Sequence, residues 1–453
     1  MSDFRKRLHK VIPGGAHTYS RGDDQFPSAA PPILERGEGA YVWDPEGKRY
    51  LDYGMALRAV TLGYAHRGVN QAAFREMGKG NNLTRASTTE LAAAELLVDL
   101  LPAADMVKFA KNGSNVTTAA AKIARAYTGR GYVCVPRQHP FFSFDDWFIG
   151  TTVLTRGIPK AHVSATLLFD YGELPTLERL FAEHPGEIAA VMLEPATTVT
   201  PCAPACTRRL THEPLRGGAC PDGQENFLQG ARRLCSRHGA LLIFDEMITG
   251  FRWHLPGAQT YFGVEPDVST FGKAMANGFA VAAVAGRREV MEVGAIDKAG
   301  AERTFLLSTT HGGEMAGLGA FIETVRVYRE TDVCRHLWRY GERLRDGLEA
   351  VAAERGVREQ FLMDGPAINL NFVTRDAEGK PSAAFRTLFL QEMVRRGVLM
   401  PWIAVSLAHG DAELELTLEA ARGALGVYRD ALDGGVGKFL QGAPVQPVFR
   451  RFN

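Results

Sequence analysis

The chain has 453 residues, of which 45% are hydrophobic and 23% charged, and a formal net charge of +1. That is globular composition with ample length for a large core, and two or three domains are expected. The balanced charge offers no field for nucleic acid or a membrane surface, the charged start Met1–Arg7 lacks the apolar region of a secretory signal, and no apolar run reaches membrane-spanning length. A cytoplasmic enzyme or binding protein is expected, with neither nucleic acid nor membrane as partner.

The chain opens with a short helix, then Pro13-Gly14-Gly15 and a polar loop carrying His17, Tyr19 and Arg21. Gly39 to Tyr53 reads as an aromatic-rich hairpin turned by Asp44-Pro45-Glu46-Gly47. A helix is predicted over 88–101. The stretch from Met106 to Ala110 is strand-like, Lys111 to Asn115 is a turn, and Val116 to Tyr127 is an alanine-rich helix. Strand, glycine turn and helix together offer free backbone N–H groups to an anion.

Residues 130–165 form a long connection around His139-Pro140-Phe141-Phe142-Ser143-Phe144-Asp145-Asp146-Trp147, and its aromatics argue against disorder. Ile188 to Glu194 is a buried strand ending in an acid. Residues 198–226 are a polar insertion with Cys202, Cys206, Cys220 and His212. Their spacing is a poor match to structural zinc sites, so no metal is expected. Free thiols are preferred there over a Cys202–Cys206 disulfide. A helix over Leu228 to His238 feeds the strand from Leu241 to Phe244, and Asp245 follows at once. A second apolar run, Val268 to Gly272, ends at Lys273.

Alternating strands and helices from about 105 to 290 predict an α/β fold with a mostly parallel central sheet and helices on both faces. Beyond about 320 the character changes to a smaller α+β domain, with a long helix over 315–354, a strand around 368–373 and a helix over 383–396. The expected division is an N-terminal segment, 1–65, joining the small domain, a large domain over 66–315, and a C-terminal small domain over 316–453.

In open α/β sheets, ligands sit beyond the carboxyl ends of the strands. Asp245 and Lys273 both stand at such ends, and Gly113-Ser114 supplies an anion turn. Pyridoxal 5′-phosphate requires these three things: a carboxylate for its pyridine nitrogen, an amine for its aldehyde and a cradle for its phosphate. Asp245 would keep the ring nitrogen protonated. Lys273 would hold the aldehyde and, once released, carry a proton.

The sequence resembles the class III, fold-type I pyridoxal-phosphate aminotransferases, and within them the glutamate-1-semialdehyde aminomutase-like group. The stretches that carry the resemblance are PGG, GAYVWDPEGKRYLDY, VKFAKNGSNVTTAAAKIARAYTGR, MLEP, LIFDEMITGFR, VEPDVSTFGKAMANGFAVAAVAG and VSLAHGDAE, spread over about 10 to 430. The resemblance implies Lys273 as the Schiff-base lysine and Asp245 as the pyridinium partner. It implies Gly113 and Ser114 at the phosphate, Phe141 stacked on the cofactor ring, Met247 under it and Glu194 nearby. Thr310 would reach the phosphate of a neighbouring subunit, which implies a homodimer with shared sites. Arg21 matches an arginine that contacts a substrate carboxylate in the aminomutases.

The sequence also departs from that group. Phe141-Phe142-Ser143 replaces a Tyr-His-Gly signature, Val199 replaces an asparagine, and Val398 to Val405 lacks the Gln-Phe-Glu motif. The segments HPFFSFDDWFIGTT and PVFRRFN look like a subgroup linked to carbohydrate and antibiotic assembly. That resemblance implies a pocket for an amino sugar, drawing on His17, Tyr19, Phe144, Asp145, Asp146, Trp147 and Trp402. The expected activity is transamination of small-molecule amines and carbonyls. An aminomutase that moves the amine within one molecule, and an epimerase, are the alternatives. A catalytically dead homologue is disfavoured because Asp245 and Lys273 are both present.

Overall fold

A computed structural model describes residues 2–139, 141–202 and 225–453. They form two compact units. The smaller joins the chain up to His66 with Arg335–Arg450, and the larger comprises Arg67–Cys334 with the last three residues. Thirteen strands are described: β1 (Arg36–Glu38), β2 (Tyr41–Trp43), β3 (Arg49–Asp52), β4 (Met106–Ala110), β5 (Tyr132–Pro136), β6 (Thr166–Phe169), β7 (Ile188–Leu193), β8 (Leu241–Asp245), β9 (Val268–Phe271), β10 (Ala282–Gly286), β11 (Phe361–Asp364), β12 (Asn371–Thr374) and β13 (Val398–Leu399).

In the larger unit seven strands form one sheet in the order β4-β10-β9-β8-β7-β5-β6. All run parallel except β10, which is antiparallel to both β4 and β9. The mostly parallel expectation holds, with one reversed strand inside the sheet. Every residue of β7 and β8 is buried, as their unbroken apolar runs require of strands covered on both faces. The helix Gly113–Thr128 lays Val116, Ile123 and a row of alanines into the same core as Val133, Val135, Met192 and Ile243. Small side chains let the helix approach the sheet closely.

The amino end of β8 is fixed by one buried carboxylate. Asp267 accepts the Leu242 N–H at 2.7 Å and Arg232 Nη1 at 2.7 Å, and it pairs with Arg287 as well. Such a charge is tolerable in the interior only because it is matched and fully hydrogen-bonded.

The helix expected over 315–354 is two helices, Met315–Glu330 and Val333–Glu354. Thr331 is extended (φ −131°, ψ 130°) and breaks the run. Thr and Asp compete for backbone hydrogen bonds and suit such breaks. The first helix packs on the helices Arg67–Met77 and Thr88–Leu100 of the larger unit. The boundary therefore falls at Arg335, not at 316.

The smaller unit contains the expected hairpin, β2 paired with β3 in register Val42↔Tyr50. Asp44 closes the turn by accepting the Lys48 N–H (2.9 Å) and the Tyr50 hydroxyl (3.0 Å). Strand β13 adds in parallel beside β3, with Val398 opposite Leu51. Beneath them the Tyr53 hydroxyl meets those of Tyr340 and Thr417, each at 2.7 Å.

Directly after β3, Met55 to Arg58 form a left-handed helical turn, with φ of 40°, 49°, 63° and 65°. Its bonds run from Arg58 N–H to Gly54 O (3.2 Å) and from Ala59 N–H to Met55 O (3.0 Å). For non-glycine residues this conformation costs about 1–2 kcal/mol each, so the surroundings must impose it. Among the described residues no helix is long and apolar enough to cross a membrane.

Candidate active site

The parallel register of the sheet brings the predicted residues of the larger unit together. Leu193 of β7 lies opposite Phe244 of β8, and Asp245 lies opposite Thr270 of β9. Glu194, Asp245 and Lys273 therefore emerge at one end of three neighbouring strands.

Asp245 is buried, with 1% of its surface exposed. Its Oδ1 accepts the Met247 N–H (3.0 Å) and the Thr270 hydroxyl (3.1 Å). Both bonds fall on one oxygen, which leaves Oδ2 for a ligand. Burial pushes its pKa up to about 6, and the nearby Lys273 charge pulls the other way. A pyridinium nitrogen is a cation that would suit the open Oδ2. Lys273 has a left-handed backbone (φ 39°) as the chain leaves β9. That conformation is uncommon outside glycine and clusters at functional positions.

A site suited to an anion lies at the start of the helix Gly113–Thr128. Asn112 caps it by accepting the Asn115 N–H at 3.0 Å. The Gly113 and Ser114 amides have no intrahelical acceptor and point outward with the positive end of the helix dipole. Ser114 is buried, and its Oγ accepts the Phe144 N–H at 3.0 Å. Its own proton stays available to an anion.

Met247 sits between two glycines. A Cβ on Gly113 would lie 3.0 Å from its sulfur, and one on Gly272 would lie 2.7 Å from it. Gly272→Ala should push Met247 into the space above the strand ends and weaken cofactor affinity about tenfold, the scale of an overpacked contact. Titration of the emptied protein with pyridoxal phosphate measures this; unchanged affinity would contradict the assigned place of Met247.

Three residues around the site carried no pattern that singled them out. Thr270 holds Asp245, and its signal is a polar pair, Ser269-Thr270, inside a buried apolar strand. Gly272 confines Met247. His139 is 3% exposed, and its Nδ1 accepts the Glu194 N–H at 3.1 Å. The ring proton therefore sits on Nε2, which has no hydrogen-bond partner among the described residues. Burial pushes its pKa down to about 3, so the ring is neutral.

The remaining predicted residues are distributed unevenly. Phe141 is 44% exposed and meets Phe148 edge-on at 6.1 Å. Thr310 is exposed, and its carbonyl accepts Asn82 Nδ2 at 3.0 Å. The acids and tryptophan proposed to receive a cationic sugar are already engaged. Asp145 accepts the Thr118 hydroxyl (2.5 Å), Asp146 pairs with His162 (2.9 Å), and Trp147 is buried with Nε1 donating to Thr118 (2.8 Å). Trp147 belongs to the core of the larger unit.

In the smaller unit, Arg21 and Trp402 line one cavity of about 430 Å³, while Tyr19 is 77% exposed. Asp23, Glu35 and Asp52 also line the cavity; Asp23 pairs with Arg5 (3.0 Å) and meets His9 Nε2 (2.8 Å). Arg21 has no ion-pair partner among the described residues. Of the insertion cysteines, Cys202 is buried; Cys206, Cys220 and His212 lie outside the described residues.

Comparison with known proteins agrees with this geometry. The family model for class III aminotransferases matches residues 19–403. Glutamate-1-semialdehyde 2,1-aminomutase of Nitrosospira multiformis is 32% identical over 442 residues, 92% of this chain and 96% of the relative. The pyridoxal-phosphate internal aldimine form of FumI from Sphingopyxis sp. MTA144 superposes with a TM-score of 0.82 at 28% identity, covering 98% of both chains. An ω-transaminase from Sphaerobacter thermophilus gives a TM-score of 0.75 at 26% identity, covering 94% of this chain and 97% of its own. With a family model over most of its length and a relative at 32% identity, the chain belongs to the class III aminotransferases, and pyridoxal phosphate is its cofactor.

Proposed function

We propose that the enzyme exchanges an amino group between an amine and a carbonyl compound, one of which carries an anionic group taken by Arg21. The observation that carries this reading is the cavity of the smaller unit: of its acids, Asp23 is held by Arg5 and His9 and Asp52 by Gly54, Met55 and Tyr64, while Arg21 has no ion-pair partner among the described residues. A guanidinium without an ion-pair partner suits a carboxylate ligand.

When bound, the cofactor supplies an electrophilic carbon and an electron sink. Asp245 would hold the proton on its ring nitrogen. Lys273 would hold the cofactor through its amine and, when free, would carry a proton to and from the substrate carbon. Ser114 and the amides of the helix start would hold the phosphate, and Phe141 would offer its exposed ring for stacking. Thr310 would complete the phosphate site of a second copy. Phe74, Met77, Leu83, Leu91 and Phe305 of the larger unit are exposed apolar side chains that a second copy would cover in such a homodimer.

An aminomutase would use the same groups on a single molecule. An amino-sugar carbonyl is a second reading, supported by the exposed rings of Tyr19 and Phe144, which could pack on sugar faces.

The test is the half-reaction of the cofactor-loaded protein with β-phenylalanine, followed by pyruvate. Formation of the pyridoxamine form and its reversal support transamination. Arg21→Ala should raise the KM for the amino acid about tenfold or more, the loss expected for a charge-assisted pair, while kcat changes little. Amination of an amino-sugar aldehyde with no response to amino acids would replace this reading with the second.

A further inference from the structure

The left-handed turn Met55–Arg58 is held by three side chains of the same unit. Asp52 accepts the N–H of Gly54 (2.7 Å) and of Met55 (3.0 Å). The Tyr64 hydroxyl donates to Asp52 (2.6 Å) and accepts the Ala56 N–H (2.8 Å). Trp402 Nε1 donates to the Gly54 carbonyl at 2.9 Å. Tyr64 thus bridges the carboxylate to the middle of the strained segment.

Ala56, Leu57, Tyr64 and Trp402 all line the cavity that holds Arg21. Hand decides where side chains point: a right-handed turn over the same four residues would carry Ala56 and Leu57 along a different path and remake this wall. Nothing in the composition requires the left-handed form, because Met, Ala, Leu and Arg are all good right-handed helix formers. Strain kept in place by a dedicated set of hydrogen bonds, at the wall of a cavity with an available cation, points to recognition.

We propose that the turn is a specificity element and Tyr64 the positioning residue that sets it. Arg21 takes the charge of an organic anion, and the locked turn, with Trp402, presents an apolar wall to the rest of that molecule. The preferred ligand is therefore an anion with a flat or branched apolar portion. This rests on reading the cavity as an anion compartment, as above.

The test is calorimetric titration of the cofactor-loaded protein with benzoate and, separately, with acetate. Benzoate carries the charge and an apolar face; acetate carries the charge alone. Wild-type protein should prefer benzoate. Tyr64→Phe should lower the benzoate-to-acetate affinity ratio about tenfold, the effect of one lost hydrogen bond on the wall, with acetate binding retained. Arg21→Ala should weaken both anions. A purely structural role for Tyr64 would weaken both anions alike and leave the ratio unchanged, which would overturn the proposal. Leu57→Ala alters the wall without touching the bridge, so it tests the same ratio if Tyr64→Phe does not fold; an unchanged ratio there has the same force. Binding of neither anion by the wild type would overturn the anion compartment and the turn's role together. Binding of both with a response only to Arg21→Ala would leave the compartment standing and remove Tyr64 from it.

Discussion

Lys273→Ala is expected to leave a folded protein that turns over at least about 10⁴-fold more slowly, since one residue serves as both the attachment point and the proton carrier. Alanine meets much the same left-handed backbone penalty as lysine at φ 39°, so the substitution does not add strain. Two readouts separate chemistry from folding. Borohydride reduction followed by mass spectrometry should attach the cofactor to the wild-type chain at Lys273 and leave the variant unlabelled. Thermal unfolding should differ little between the two emptied proteins. A variant that kept more than about one hundredth of the turnover would remove Lys273 from its assigned role.

Asp245→Asn is the second large effect. A neutral amide cannot hold a proton on the ring nitrogen, and losing one pre-placed electrostatic partner costs about 10²–10³ in rate. The pH dependence has a definite sign. In the empty protein burial raises the Asp245 pKa from 3.8 to about 6. Cofactor binding needs the ionised form, so affinity is full above about 6 and is lost as pH falls through it. The stability of the empty protein moves the other way. The folded state holds this proton more tightly than the unfolded chain, so the contribution of Asp245 is complete below 3.8 and disappears as pH rises through about 6. Titration with pyridoxal phosphate from pH 5 to 8 should show the affinity step in the wild type and a flat profile in Asp245→Asn. A step that survives the substitution belongs to another group.

The centre of the site was legible because strand ends leave a strong local signature. The apolar runs before Asp245 and Lys273 identify buried strands, and a charged residue directly beyond such a run has few structural uses. The direction of β10 was not legible, since Ala282 to Gly286 reads the same in either sense and periodicity carries no polarity. The break at Thr331 was masked by apolar periodicity on both sides. The turn at Met55–Arg58 was hidden more deeply. Its residues favour the opposite hand, and the observed one is held by side chains outside the turn, Asp52 and Tyr64 nearby and Trp402 roughly 350 residues on. Trp147 and Asp145 looked like ligand contacts because aromatic and acidic residues in a long loop suggest recognition. Their hydrogen bonds to Thr118, which fasten the loop to the helix Gly113–Thr128, carry no sequence signal.

The pairing of β3 with β13 has a consequence for biosynthesis. Leu51 lies opposite Val398, so the two halves of this ladder leave the ribosome roughly 350 residues apart. At about 5–20 residues per second, the first half waits on the order of a minute for the second. Throughout that interval the edge of β3, the Tyr53 hydroxyl and the segment that becomes the left-handed turn lack their C-terminal partners. The larger unit is synthesised as one continuous stretch, Arg67–Cys334, and can complete its sheet first. Nascent chains of this enzyme are therefore most exposed to chaperones and to mispairing at their amino-terminal end, and truncation from the carboxyl end unmakes the beginning of the protein.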